Sequence, residues 1–161
     1  MKTFYFRKPF VILFLTVLLS TISCSKDESV EDIEKQESLS ITNEILELVN
    51  VHRASIGSPA LSKSVLATQL AEEHTLYMIE QNKMSHDNFD LRGRRLIDEE
   101  KAIKVGENVA FKYKTAEEVM EAWLNSPVHL KNIEADFAFI GISAIKNDDD
   151  LFYYTQLFFK K

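Results

Sequence analysis

Two apolar runs near the C-terminus, Phe137 to Ile145 and Leu151 to Phe159, constrain the fold more than any other feature of the chain. Each has the length of a strand, and the polar Lys146-Asn147-Asp148-Asp149-Asp150 between them reads as a hairpin loop. Neither run alternates cleanly between apolar and polar residues. A strand of that kind must be covered on both faces, so the sheet requires one helical layer above it and another below. The three consecutive aspartates lack the spaced ligands of a calcium loop and read as a polar turn.

Helical patterns precede the hairpin. From Ser40, the residues Ile41, Ile45, Leu48, Val49 and His52 recur at helical spacing, and Gly57-Ser58-Pro59 breaks the pattern. Ser62 is placed to cap a second helix with Leu66, Leu70, Ala71, His74, Tyr77 and Met78 along one face. The stretch 81–104 is polar and irregular, with Gly93 among Arg92, Arg94 and Arg95, and reads as a long loop of solvated arginines with at most one short helix. Residues 105–111 read as a short strand or a turn entering one. Thr115-Ala116-Glu117-Glu118 is a capping box opening a third helix through Val119, Ala122 and Trp123. Ser126-Pro127 stops that helix and starts a short helical turn. The sum is an α+β chain, most simply a helix–sheet–helix sandwich.

Cys24 is the only cysteine, so no disulfide can hold this core together; packing, rich in Phe and Tyr toward the end, must do so alone. Cys24 also closes an N-terminal segment with Lys2, Arg7 and Lys8, then an apolar run from Phe10 to Leu19, then Ser20-Thr21-Ile22-Ser23. The order is that of a secretory signal, and the run is shorter than the roughly 20 apolar residues of a membrane span. Its end resembles a bacterial lipobox. The expected organisation is a signal peptide over 1–23, a lipidated Cys24 with a flexible tether over 24–38, and one folded domain over 39–161. The Ser25-Lys26-Asp27-Glu28 stretch resembles a surface-export signal of Gram-negative lipoproteins. The expected address is the cell envelope, on the outer membrane through the lipid and exposed at the surface. The net charge of -6 becomes more negative once the signal is removed, which argues against nucleic acid as a partner.

Familiar catalytic signatures are absent: no nucleophile elbow, no His-Glu-x-x-His helix, no phosphate loop and no free thiol nucleophile. His86, Glu107 and His129 remain, in three separate segments. Imidazoles and a carboxylate suit zinc, and the same trio suits general acid–base work; spacing alone does not bring them together. His74, on an apolar helix face, reads as a core histidine bonded to backbone, and Trp123 as core packing. Asn108 reads as a side chain bonded to the backbone of a neighbouring loop.

A longer pattern surrounds these residues. Asn50-Val51-His52-Arg53, Ala71-Glu72-Glu73-His74, Ser85-His86, Gly106-Glu107-Asn108-Val109, Trp123-Leu124-Asn125-Ser126-Pro127-Val128-His129 and Tyr153-Tyr154-Thr155-Gln156-Leu157-Phe158 occur in one order. From about Ile41 to Phe159 the chain resembles the CAP superfamily (cysteine-rich secretory proteins, antigen 5, pathogenesis-related 1), in its bacterial SCP-domain branch. The resemblance implies a three-layer α-β-α sandwich with a central antiparallel sheet and an open cleft. In eukaryotic members two histidines and two glutamates line that cleft and in some bind a divalent metal. His86 and Glu107 match the first of each. The second glutamate falls on Ser126 and the second histidine on Tyr153, while His129 belongs to the bacterial pattern and is expected to supply an imidazole from its own turn. An incomplete set of this kind implies weak zinc binding or none. The expected role is a monomeric binding module for a lipid, peptide or envelope ligand around His86, Glu107 and His129. The alternatives are a metal-assisted hydrolase and a surface interaction module with an idle cleft.

Overall fold

In the computed structural model the described residues are 1–3 and 29–161; Cys24 and the apolar run before it lie outside them. The described elements are α1 (Val30–Ser55), β1 (Ser62–Lys63), α2 (Val65–Glu80), α3 (Phe89–Glu100), β2 (Lys104–Phe111), α4 (Ala116–Leu124), α5 (Pro127–Glu134), β3 (Phe139–Lys146) and β4 (Phe152–Lys160). The two apolar runs form the β3–β4 hairpin. Asn147 Oδ1 accepts from the Asp149 and Leu151 N–H groups, and Asp150 takes a left-handed φ of 61°, so the aspartates are a turn.

The sheet order is β1-β3-β4-β2, antiparallel except where β1 runs parallel to the start of β3. Central β4 is buried along nearly its whole length. Ile140, Ile142, Tyr154 and Phe158 pack with α1, α4 and α5, whereas Leu157 and Phe159 pack with α2 and α3. Both faces are covered, as strands without alternation require. The three-layer sandwich is therefore the observed architecture.

Several local expectations are corrected. The first helix begins at Val30, inside the stretch expected as a tether. Ser29 caps it by accepting from the Asp32 N–H, and Glu31 and Asp32 complement its positive end. Ser38 donates to the Ala144 carbonyl at 2.7 Å and Glu37 pairs with Lys146 at 2.9 Å, fastening that part of the helix to β3. On the same helix the buried face runs through Ile41, Ile45, Val49 and Arg53. His52 instead points outward to Glu134, 3.0 Å away. Arg53 tolerates burial because its guanidinium donates to the carbonyls of Pro59, Ile133, Ala135 and Phe137.

Ser62 caps no helix. It pairs with Phe139 in β1, and Ser64 caps α2 by accepting from the Ala67 N–H. The start of α2 lies directly over Gly141, where a Cβ would sit 2.0 Å from the Ala67 carbonyl carbon and 2.2 Å from the Thr68 nitrogen. The supposed loop over 81–104 contains α3, whose buried side is Arg92, Gly93 and Leu96. Thr115 caps α4 as expected, and Pro127 opens α5.

Candidate functional site

Glu107 lies on β2, facing α2 and α3, with its side chain only 2% exposed. A buried carboxylate must be compensated by donors, and three N–H groups meet it. Arg92 Nε reaches Oε2 at 2.8 Å, Arg92 Nη2 reaches Oε1 at 2.9 Å, and His86 Nδ1 lies 2.8 Å from Oε1. The forked guanidinium matches the carboxylate in the two-point geometry that makes such pairs strong. Arg92, expected to be solvated, is thus an element of the site, and its side chain is only 8% exposed.

The α2–α3 loop holds His86 in place through its backbone. His74 Nε2 donates to the Ser85 carbonyl at 2.8 Å, and Arg92 Nη1 donates to the Asp87 carbonyl at 2.8 Å. The residues on either side of His86 are therefore fastened to buried side chains. Asn82 and Asn88 supply the left-handed backbone that the turns of this loop require, at φ 47° and 59°. The His86 ring itself is half exposed. A carboxylate can only accept, so Nδ1 donates to Glu107.

His74 is the core histidine that the sequence indicated, stacked near Tyr77 with ring centroids 5.9 Å apart. Burial first, and the Arg92 charge second, hold its proton affinity below that of an ordinary histidine. Among the described residues its Nδ1 has no hydrogen-bond partner.

Further along β2, a cavity of about 340 Å³ lies between that strand, the α2–α3 loop and the α4–α5 pair, lined by Met84, Val109, Phe111, Trp123, Ser126 and His129, among others. Its walls are mainly apolar. Trp123 is at once core and wall: it is 1% exposed, and its Nε1 donates to the Val109 carbonyl at 3.3 Å. Ser126 makes no capping bond to α5. His129 reaches the cavity, and burial together with the nearby His86 charge lowers its proton affinity. Asn108 donates to the His129 carbonyl and to Gln156 Oε1, while Asn132 donates to Asn108 Oδ1 and the Glu107 carbonyl. This amide chain sets α5, and hence His129, against β2.

The expected residues therefore fall into groups. His86 and Glu107 meet directly; Ser126 and His129 share the adjoining cavity. Tyr153 does not line that cavity. It is fully buried with Met78 and Val109, and its hydroxyl donates to Asn82 Oδ1 at 3.3 Å, bracing the α2–α3 loop. Among the described residues no three His, Cys, Asp or Glu side chains converge as a metal site. The chemistry of the donors explains why the set does not fit a divalent cation. Both oxygens of Glu107 already hold a permanent cation, Arg92, and His129 stands apart from them. No sequence signal marked Arg92, because its partner lies on a different element.

The cysteine-rich secretory protein family model matches residues 46–158. Among curated proteins, a Bacillus subtilis membrane protein, YlbC, is 30% identical over 99% of this chain and 44% of its own length. A second Bacillus subtilis protein, YkwD, is 31% identical over 73% of this chain and 46% of its own. The chain thus spans less than half the length of these curated relatives. An extracellular protein containing an SCP domain from Bacillus anthracis superposes with a TM-score of 0.70 at 29% identity, covering 83% of this chain and 45% of that one. An outer surface protein of Borrelia burgdorferi shares the fold, with a TM-score of 0.69 at 20% identity over 76% of this chain and 93% of that one.

Proposed function

The chain belongs to the cysteine-rich secretory protein (CAP) family, and from that premise we propose that it is a cell-envelope binding module. Its ligand is an apolar or amphiphilic molecule, such as a lipid or an apolar peptide segment, seated beside His86, Glu107 and His129. The observation that carries this reading is the cavity of about 340 Å³, apolar along Trp123, Phe111 and Val109 and polar at Ser126 and His129. A concave apolar site with a few placed polar groups is the usual form of a small-molecule pocket. The address is supported by the N-terminal segment ending at Cys24, by the membrane character of one relative and by the extracellular character of another. In this reading Cys24 carries the lipid that tethers the domain to its membrane.

Native mass spectrometry of the protein isolated from its own envelope tests the proposal. The expected result is an excess mass from a bound amphiphile that disappears in Ala122→Phe, which fills the cavity from its α4 wall. A bare mass in the unaltered protein, or the same excess in the filled variant, would move the function from the cleft to the outer surface.

A further inference from the structure

β2 is an edge of the sheet, paired with β4 alone. On an antiparallel strand alternate residues turn both N–H and C=O toward the partner, and the residues between them turn both away. One step beyond the Phe111–Tyr153 pair, Lys112 donates to the Phe152 carbonyl, so the even-numbered residues of β2 bond to β4. The odd-numbered residues face outward, and the Glu107 and Val109 carbonyls accordingly accept from Asn132 and Trp123. Among the described residues nothing accepts from the Val109 or Phe111 N–H, and nothing donates to the Phe111 carbonyl. Val109 is nevertheless only 3% exposed. These unengaged groups belong to residues that line the cavity of about 340 Å³, which has α4 and α5 on one side and Met84 of the α2–α3 loop on the other. The cavity thus lies off the edge of β2 and between the two helical layers, where a fifth strand would continue the sheet.

We infer that the cavity takes an extended peptide segment, whose main chain adds to β2 as a short antiparallel strand opposite Phe111. Phe111 has both its N–H and its C=O unengaged, and an antiparallel pair exchanges both bonds with a single residue. The Val109 and Phe111 donors are two strand residues, about 7 Å, apart. Alternate carbonyls of an extended chain repeat at that spacing, whereas one carboxylate or ester group is too small to reach both donors. The Val109 carbonyl is already held by Trp123, so the peptide need offer no N–H there. Ala110 packs with Trp123, so the peptide side chain opposite it enters the apolar wall and is itself apolar. This inference rests on the cavity's being a binding site and adds the form of the ligand that the site selects.

Trp123 is the only tryptophan in the chain and forms the cavity wall, so its emission reads occupancy. The probes are acetyl-Ser-Val-Leu-Val-Ser-amide, its forms N-methylated at both valines or at the leucine, and decanoate. In an added strand only alternate amides face β2. One methylated form should therefore bind at least about tenfold more weakly than the parent, and the other within about twofold of it. In amide hydrogen exchange followed by NMR, the parent peptide should slow the Val109 and Phe111 N–H groups at least about tenfold. Phe111→Pro removes an outward donor without breaking the ladder to β4, and should weaken the peptide about tenfold relative to Phe111→Ala. Equal weakening by the two methylated forms, or occupancy without slowed exchange at both amides, overturns the inference and leaves the cavity standing. Decanoate binding more tightly than the peptide does the same. No emission change with any probe refutes the binding cavity, and this inference with it. If Phe111→Pro does not fold, the peptide series and the exchange rates of the unaltered protein decide.

Discussion

Separating the two charges of the Arg92–Glu107 pair should be far more damaging than removing both. Each side chain is almost wholly buried, at 8% and 2% exposure, and their closest N–O approach is 2.6 Å. Removing one partner of such a pair strands the other charge in a low-dielectric site, at a cost of about 3–5 kcal/mol. Arg92→Met leaves the carboxylate with only His86 and also frees the Asp87 carbonyl. Glu107→Gln leaves the guanidinium against a neutral amide. The double variant strands neither charge, so its loss should fall short of the summed single losses by about 2 kcal/mol or more. Total stabilities are about 5–15 kcal/mol, so either single variant removes a large share. For a domain of this size the midpoint of thermal unfolding should drop by about 10–20 °C. Urea titration followed by circular dichroism measures the cycle, with an unchanged m-value showing that the unfolding reaction is the same. Single losses below about 1 kcal/mol that add in the double variant would refute the buried, mutually compensating pair.

Other consequences are open to simple tests. Gly141→Ala places a Cβ against the α2 backbone, which cannot rotate away as a side chain can; a loss of about 3 kcal/mol or more is expected in the same urea titration. His74 has a folded proton affinity below its unfolded value, so the unfolded chain takes up the proton first. The stability this contributes should be present above the ordinary histidine range and be lost as the pH falls below it, with a shallower decline in His74→Gln, read by calorimetry at several pH values. Arg53→Ala removes the guanidinium from four backbone carbonyls, of which Ala135 keeps the Phe137 N–H as a donor, and a loss of about 3 kcal/mol or more should appear in chemical unfolding. Cys24→Ala should move the protein from the membrane fraction to the soluble fraction on cell fractionation; persistence in the membrane would refute the lipid anchor.

The covered sheet was legible because Phe137–Ile145 and Leu151–Phe159 are apolar at both parities, a pattern with few physical solutions. The helix α3 was not legible, for an equally physical reason. Its inward positions are Phe89, Arg92, Gly93 and Leu96, which keep helical spacing only once a buried arginine is admitted among them. That admission depends on Glu107, 15 residues further on and on another element. His52 and Arg53 show the same difficulty: the more polar side chain is the buried one, because three carbonyls from a segment some 80 residues on converge on it together with that of Pro59. Of the site, His86 and Glu107 could be paired by family resemblance, and His129 placed near them. Tyr153 could not be assigned from sequence to the loop-bracing side of the sheet, since parity along β4 tells one face from the other only after the layers are known.

Side chains, and on β3 also a backbone N–H, occupy carbonyls along both sides of the sheet. On β2 the carbonyls of Glu107 and Val109 accept from Asn132 and Trp123. On β3 the Ala144 carbonyl accepts from Ser38 and the Ile140 carbonyl from the Ser64 N–H. Open sheet edges are templates on which identical chains stack, and a protein concentrated on a two-dimensional surface meets its copies often. With these four acceptors occupied internally, fewer groups remain along those strands for a second chain to pair with, and no disulfide is needed to close them.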